Sequence, residues 1–294
     1  MTASIVREPA PAKLNLALHV RRRRANGYHD IETLFAFCAD GDVLTAESAD
    51  DLTLEITGPF SGGLSTGEDN LVLKAARMLA EHAAVPCKAR LRLEKRLPVA
   101  SGIGGGSADA AATLRALDRL WRLGRGQAEL ANLGEKLGAD VPACVWSRAA
   151  RGEGVGEALV PIPLGEFADA PVLLVNPLRT VSTAAVFAGW DGKDRGALAQ
   201  GIGGAVAGRN DLTIGAIEAA PDVEALLDAL TAQRGVRLAR MSGSGATCFA
   251  IFEDVAARDQ AEAALHSEPS ARWLMATRLA DLSRTDTHSA MADK

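Results

Sequence analysis

Residues 98–108 run Pro98, Val99, Ala100, Ser101, Gly102, Ile103, Gly104, Gly105, Gly106, Ser107, Ala108, and no other stretch restricts the fold as tightly. Ahead of it, Ala89, Leu91 and Leu93 alternate with Arg90, Arg92 and Glu94, the period-two pattern of a strand with one buried face. Behind it, Ala110, Leu114, Leu117 and Trp121 recur at helical spacing. A strand therefore passes through a glycine run directly into a helix. Such a backbone adopts conformations closed to other residues and can close its N–H groups around an anion at the helix N-terminus. The stretch reads as a phosphate cradle. It is not a Walker A loop, since no Lys-Ser or Lys-Thr pair ends it, and Ser107 stands where the dinucleotide fingerprint needs a third glycine. The spacing leaves three roles open for Ser107: helix cap, phosphate contact or Mg²⁺ contact.

Upstream, Leu14, Leu16, Leu18 and Val20 alternate with Lys13, Asn15, Ala17 and His19, which predicts a half-buried strand with a polar face. Asn26-Gly27 is a turn signal, and the apolar run Ile31 to Phe37 completes an irregular hairpin. A third strand covers Leu52 to Ile56. Leu71, Ala75, Met78 and Leu79 predict a helix to about His82, capped by Asp69 or Asn70. Leu130, Leu133 and Leu137 mark another helix stopped by Gly138, which puts Asp140 at an element boundary just before Pro142. Pro161, Pro163 and Gly165 read as a connection between domains 1–163 and 164–294. The second region has a strand at Val172 to Val175, a helix carrying Val223, Leu226, Leu227 and Leu230, and a glycine turn from Ser242 to Thr247. A strand from Cys248 to Phe252, a helix near 256–266 and a strand near 273–277 follow, then a polar tail after about Asp281 that is expected to fray. The class is mixed α+β in two layers.

At 294 residues with 48% apolar content, the chain exceeds what one core usually serves, in line with two domains. A net charge of −5 disfavours a surface built to neutralise nucleic-acid phosphates. Aromatics make up only 4% of the chain, so its single tyrosine, Tyr28, calls for a reason. Cys38, Cys87, Cys144 and Cys248 have no CxxC spacing, and no apolar run approaches about 18 residues, which points to a cytoplasmic protein with no membrane partner. The histidines form no HExxH pair, no serine sits in a GxSxG elbow, and no carboxylate cluster predicts a protein-built metal cage. The Arg21 to Arg24 run reads as a solvated hairpin end rather than an anchor for a diphosphate or RNA.

If the cradle serves phosphoryl transfer, the reaction needs a cation near the transferred group and a group to receive the hydroxyl proton. Lys13 is placed to supply the first and Asp140 to orient or deprotonate the hydroxyl.

Taken together, Pro11 to Leu16, Gly27-Tyr28-His29, Leu97 to Ala111, Leu137 to Pro142, Arg209 to Leu212 and Ser242 to Ala246 resemble, in order and over nearly the whole chain, the GHMP kinases. The resemblance implies a two-domain fold with mixed sheets, packed helices and a cleft between the domains. It also implies ATP with Mg²⁺, and transfer of phosphate to the 2-hydroxyl of a cytidyl diphosphate of methylerythritol on the non-mevalonate route to isoprenoids. Carried over by position, Lys13 and Asp140 are the catalytic pair and residues 98–108 the ATP loop, with Ala100-Ser101 in place of glycines found in some relatives. Asn15, Tyr28 and His29 fall on the substrate, and Phe187 on the opposite face of the base. A monomer or weak homodimer is expected. Two other readings stay in view: a GHMP kinase for another small alcohol such as homoserine or mevalonate, and a nucleotide-binding regulator without transfer. Tyr28 with His29 argues against the first, and the presence of both Lys13 and Asp140 against the second.

Overall fold

The structure, a computed structural model, describes residues 5–266 and 272–281; the polar tail expected beyond Asp281 lies outside them. The chain opens with two paired strands, β1 (Ile5–Arg23) and β2 (His29–Glu47), each much longer than its sequence pattern indicated. The turn between them follows Asn26-Gly27: Gly27 has φ +86°, its N–H donates to Arg24 O (3.1 Å), and the Arg24 N–H donates to Tyr28 O (2.7 Å). A Cβ on Gly41 would lie 2.1 Å from Ala10 O, so only glycine fits where β2 passes that residue. The arginine run at this hairpin end is engaged in ion pairs. Arg21 meets Glu32 (3.6 Å) and Asp194 (3.0 Å), and Arg22 and Arg24 both reach Asp30.

The expectation that β1 has a polar, solvated face is corrected by the structure. Ala10 to Val20 is buried throughout, with Lys13 3% and Asn15 2% exposed. The polar side chains tolerate burial because each finds a partner, as set out below.

The chain then continues through β3 (Leu52–Thr57), α1 (Leu71–Ala83), β4 (Ala89–Glu94), α2 (Gly105–Leu120), α3 (Gln127–Glu135) and α4 (Val141–Trp146). After these come β5 (Ala150–Gly154), β6 (Ala158–Pro161), a 3₁₀ turn at Gly165–Phe167, β7 (Pro171–Asn176), α5 (Thr183–Ala188), α6 (Gly204–Ala207) and α7 (Thr213–Ala219). The last described elements are α8 (Asp222–Thr231), β8 (Val236–Met241), β9 (Cys248–Phe252), α9 (Val255–His266) and β10 (Trp273–Ala280).

Contacts group the residues into two compact units that alternate along the chain, where the sequence suggested a single cut near residue 163. The first takes the residues up to Ala12 with Asp40–Ala100 and Gly104–Trp146; the second takes Lys13–Ala39, Ser101–Ile103 and the chain from Ser147 on.

In the first unit, β3 runs parallel to β4, with Leu52 opposite Ala89, and β4 pairs antiparallel with the end of β2, Val43 opposite Glu94. Leu44, Ala46, Leu91 and Leu93 are buried, as are Val72, Ala75, Ala76 and Leu79 on one face of α1. Asn70 caps α1, its side chain accepting from the Val72 N–H at 2.8 Å. The helix α2 is buried almost all round, and its alanines at 108, 110, 111, 112 and 116 allow close packing on several sides.

In the second unit, the start of β2 pairs antiparallel with β5, and β5 with β6. The end of β10 also pairs antiparallel with β2, Leu279 opposite Cys38, and β10, β7, β9 and β8 follow in that order, all antiparallel, with a register shift in β8 between Val236 and Leu238. Leu18 and Val20 from β1, Leu173 and Val175 from β7, Phe252 from β9 and Leu226 and Leu230 from α8 share one apolar core with Leu265 of α9. Fully burying such side chains contributes about 1.5–3 kcal/mol each. No helix among the described residues is long and apolar enough to cross a membrane.

Candidate active site

Lys13 lies in the second unit and is held by a chain of polar contacts. Its ammonium donates to Asn15 Oδ1 at 2.8 Å and lies 5.4 Å from the centre of the Phe35 ring. Asn15 Nδ2 donates to Thr33 Oγ1 (2.8 Å), and that hydroxyl donates to Ala17 O (2.7 Å). The period-two alternation of β1 sends Lys13 and Asn15 to the same face, which is why the two side chains meet.

The same unit contains residues 101–103 of the glycine loop. The Lys13 N–H donates to Ile103 O at 2.9 Å, and the Thr247 N–H donates to Ser101 O at 3.1 Å. Ser242 bridges strand and loop: its hydroxyl accepts from the Asn15 N–H (3.1 Å) and donates to Gly102 O (3.0 Å). The two glycine turns touch. Gly102 has φ +77°, and a Cβ there would lie 2.4 Å from Ser242 O; one on Gly243 would lie 2.7 Å from Gly102 O. Asn210 steadies the second turn by donating to Met241 O and Gly243 O, each at 2.8 Å. No individual role for Ser242 is legible in the sequence, because its partners Asn15 and Gly102 lie far away along the chain and leave no local signal.

The rest of the loop belongs to the first unit. Ala100 takes a left-handed φ of +51°, a conformation that glycine adopts freely, and Gly104, at φ +68°, immediately precedes α2. Gly105, Gly106 and Ser107 are the first three residues of α2, so the Ser107 hydroxyl sits in its first turn rather than at the cap position.

Asp140 also lies in the first unit, half-buried between α3 and α4. Its carbonyl accepts from the Cys144 N–H at 3.0 Å, which makes it the residue from which α4 starts; Pro142 falls in the first turn, where a missing N–H costs nothing. A Cβ on Gly134 would lie 2.7 Å from Val141 Cγ1, so the glycine in α3 allows the close packing that fixes the segment beside Asp140.

The candidate base-binding residues return to the second unit. Tyr28 is 63% exposed at the hairpin turn. His29 is buried; burial, then the Arg23 charge, lowers its pKa below the ordinary 6.5 and keeps the ring neutral. Its Nε2 accepts from Arg23 Nε at 3.2 Å, which leaves the ring proton on Nδ1. The Phe187 ring on α5 lies 5.1 Å from that of His29, and Trp190 meets His29 edge-on at 5.7 Å. The first separation is that of a direct aromatic pair, so Phe187 packs on His29 itself and no base fits between those two rings.

Among the described residues no group of three or more His, Cys, Asp or Glu side chains is arranged to hold a metal ion. Sequence reasoning also missed a buried charged cluster next to the loop, Lys95 with Asp42 and Asp109. These residues lie far apart along the chain, and single charged residues read as surface.

Residues 70–148 match the GHMP kinases N terminal domain and residues 193–271 the GHMP kinases C terminal. A 4-diphosphocytidyl-2-C-methyl-D-erythritol kinase of Rhizorhabdus wittichii is 49% identical over 92% of this chain and 94% of its own. One from Sphingopyxis alaskensis is 50% identical over 93% and 98%. A crystal structure of 4-(cytidine 5'-diphospho)-2C-methyl-D-erythritol kinase superposes with a TM-score of 0.75 at 33% identity, covering 93% of this chain and 99% of that one.

Proposed function

Since the chain belongs to the 4-diphosphocytidyl-2-C-methyl-D-erythritol kinases of the GHMP family, we propose that it transfers the γ-phosphoryl group of ATP to the 2-hydroxyl of that cytidyl diphosphate. This is a step on the non-mevalonate route to isoprenoid precursors. The observation that carries the reading is the buried Lys13–Asn15 pair on a strand whose backbone is hydrogen-bonded to the glycine loop at Ile103.

In the proposed reaction the 2-hydroxyl oxygen forms a bond to the γ-phosphorus as the bond from that phosphorus to the β,γ-bridging oxygen breaks, and ADP leaves. Asp140 receives the hydroxyl proton. A carboxylate is a weak base toward an alcohol, so the proton moves late and orientation does most of the work. Lys13 supplies positive charge where negative charge gathers. The loop from Pro98 to Ala108 presents backbone N–H groups to the phosphates, while Tyr28, His29 and Phe187 bind the cytidyl end and Asn15 positions the acceptor. The neutral His29 offers its Nδ1–H as a donor.

The donor set fits a Mg²⁺ that arrives on the ATP phosphates, since the Ser107 hydroxyl stands at the end of the loop and the described residues form no carboxylate cage. When bound, the ion neutralises phosphate charge. The division of the sequence near residue 163 is kept as a proposal about chain segments, as the two family matches fall on either side of it. We place the protein in the cytoplasm as a monomer or weak homodimer, without nucleic acid or membrane partners, in keeping with its acidic composition.

Incubation with ATP, Mg²⁺ and the cytidyl substrate, followed by mass analysis, should give a product heavier by one phosphoryl group at the 2-hydroxyl. Asp140→Asn should lower kcat by about 10²–10⁴-fold while ATP binding persists. Near-parental turnover by that variant would remove Asp140 from its role. Equal use of alcohols lacking the cytidyl group would favour a kinase of different specificity.

A further inference from the structure

Next to the glycine loop, the first unit holds a charged cluster that the proposed chemistry does not use. Lys95, just after β4, places its ammonium 2.5 Å from Asp42 Oδ2 on β2 and 2.7 Å from Asp109 Oδ2 on α2. All three side chains are buried. Asp42 Oδ1 accepts from the backbone N–H groups of Arg96 (2.6 Å) and Leu97 (2.9 Å). Arg96 and Leu97 lead directly into Pro98, where the loop starts, and Asp109 follows directly on Ala108, where it ends. One cluster thus grips the loop at both ends. It also lies against the loop backbone, since a Cβ on Gly105 would come 3.4 Å from Lys95 Nζ and 3.7 Å from Asp42 Oδ2.

Stability is a poor explanation for this arrangement. Taking charges out of water is costly, and apolar residues of similar volume often hold a fold at least as well. What ionic hydrogen bonds add is direction and short, fixed distances. A loop that binds phosphate through its N–H groups needs that kind of fixation, because its donors must already point at the ligand.

We propose that Lys95, Asp42 and Asp109 are positioning residues that fix the start and end of the glycine loop so that its backbone is set for the ATP phosphates; this rests on the reading of that loop as the ATP site. The Asp109 carboxylate fits the assignment. Its Oδ1 is buried without a hydrogen-bond partner, and burial pushes its pKa up to about 7, with Lys95 opposing and Asp42 reinforcing the shift. Burial works against the Lys95 charge too, but the two carboxylates outweigh it and raise its pKa.

The test compares the parent with Lys95→Met and Asp109→Asn, measuring thermal midpoint, kcat and the KM for each substrate. Lys95→Met should raise the KM for ATP by about tenfold and leave the KM for the cytidyl acceptor within about twofold. Asp109→Asn, which keeps shape and loses charge, should shift the KM for ATP in the same direction by a smaller factor, and it decides the matter if Lys95→Met does not fold. A lowered midpoint with both KM values unchanged would overturn the proposal and leave the cluster a merely structural one. Failure of the underlying reading looks different: the parent itself would neither bind ATP nor transfer its phosphoryl group.

Discussion

The backbone N–H of Lys13 donates a 2.9 Å hydrogen bond to the carbonyl of Ile103, so a main-chain bond joins strand and glycine loop. The side chain can therefore change while the join remains. Lys13→Met should keep the fold and the loop, and lose the charge and the contact with Asn15 Oδ1. Expected is a fall in kcat of about 10²–10³-fold with the circular dichroism spectrum preserved. Steady-state kinetics on the folded variant that gave parental turnover would end the role assigned to Lys13.

Gly102 offers a test of the loop backbone. Alanine there must hold a φ of +77° and put its Cβ 2.4 Å from Ser242 O. The left-handed conformation alone costs about 1–2 kcal/mol, and the contact forces the two glycine turns apart. Gly102→Ala should lower the urea midpoint and raise the KM for ATP. At Ala100, already at φ +51°, the reverse change to glycine removes that strain and should leave ATP use intact. Similar KM values for the two variants would contradict the contact-based account.

Phe187 separates recognition from chemistry. One face of its ring packs on His29, so the base would stack on the other face, a contact that contributes about 1–3 kcal/mol. Phe187→Ala should therefore raise the KM for the cytidyl acceptor by about tenfold and leave the KM for ATP nearly unchanged. Because the His29 pKa lies below 6.5, the acceptor KM should also stay flat from about pH 7 upward. An acceptor KM that rose or fell through that range would show that His29 titrates there.

Asp109 gives a pH dependence of stability with a definite sign. Its folded pKa, about 7, lies above the ordinary 3.8, so between those values the folded protein binds more protons than the unfolded chain. The stability it contributes is complete below the lower value and is lost as pH rises through the upper one. Asp109→Asn escapes that loss. The thermal midpoint of the variant minus that of the parent should become more positive from pH 5 to pH 8; a constant difference would rule out the shift.

Much of this was legible in the sequence. The strand, glycine run and helix around residues 89–120 appear as the alternation and spacing require, as do α1 with its Asn70 cap, α8 and β9. The short pair β5 and β6 was missed, because Ala150-Arg-Gly-Glu-Gly carries charge and glycine in place of an apolar face. β8 was missed as well, its alternation broken by the register shift after Val236. The buried polar face of β1 could not be read from its own residues, since Asn15 is accommodated by Thr33 and by Ser242, which is 227 residues away. Lys95 illustrates the same limit: its partners come from two other elements, and nothing local distinguishes it from a surface lysine.

The alternation of the two units along the chain has a consequence during synthesis. Every residue of the first unit has been made once Trp146 leaves the ribosome, whereas Lys13–Ala39 belongs with segments that begin at Ser147 and run to β10. At 5–20 residues per second that apolar segment waits on the order of 10–50 s for its own core. A chaperone that holds nascent chains would find its natural substrate there, in the hairpin that carries Lys13, Tyr28 and His29.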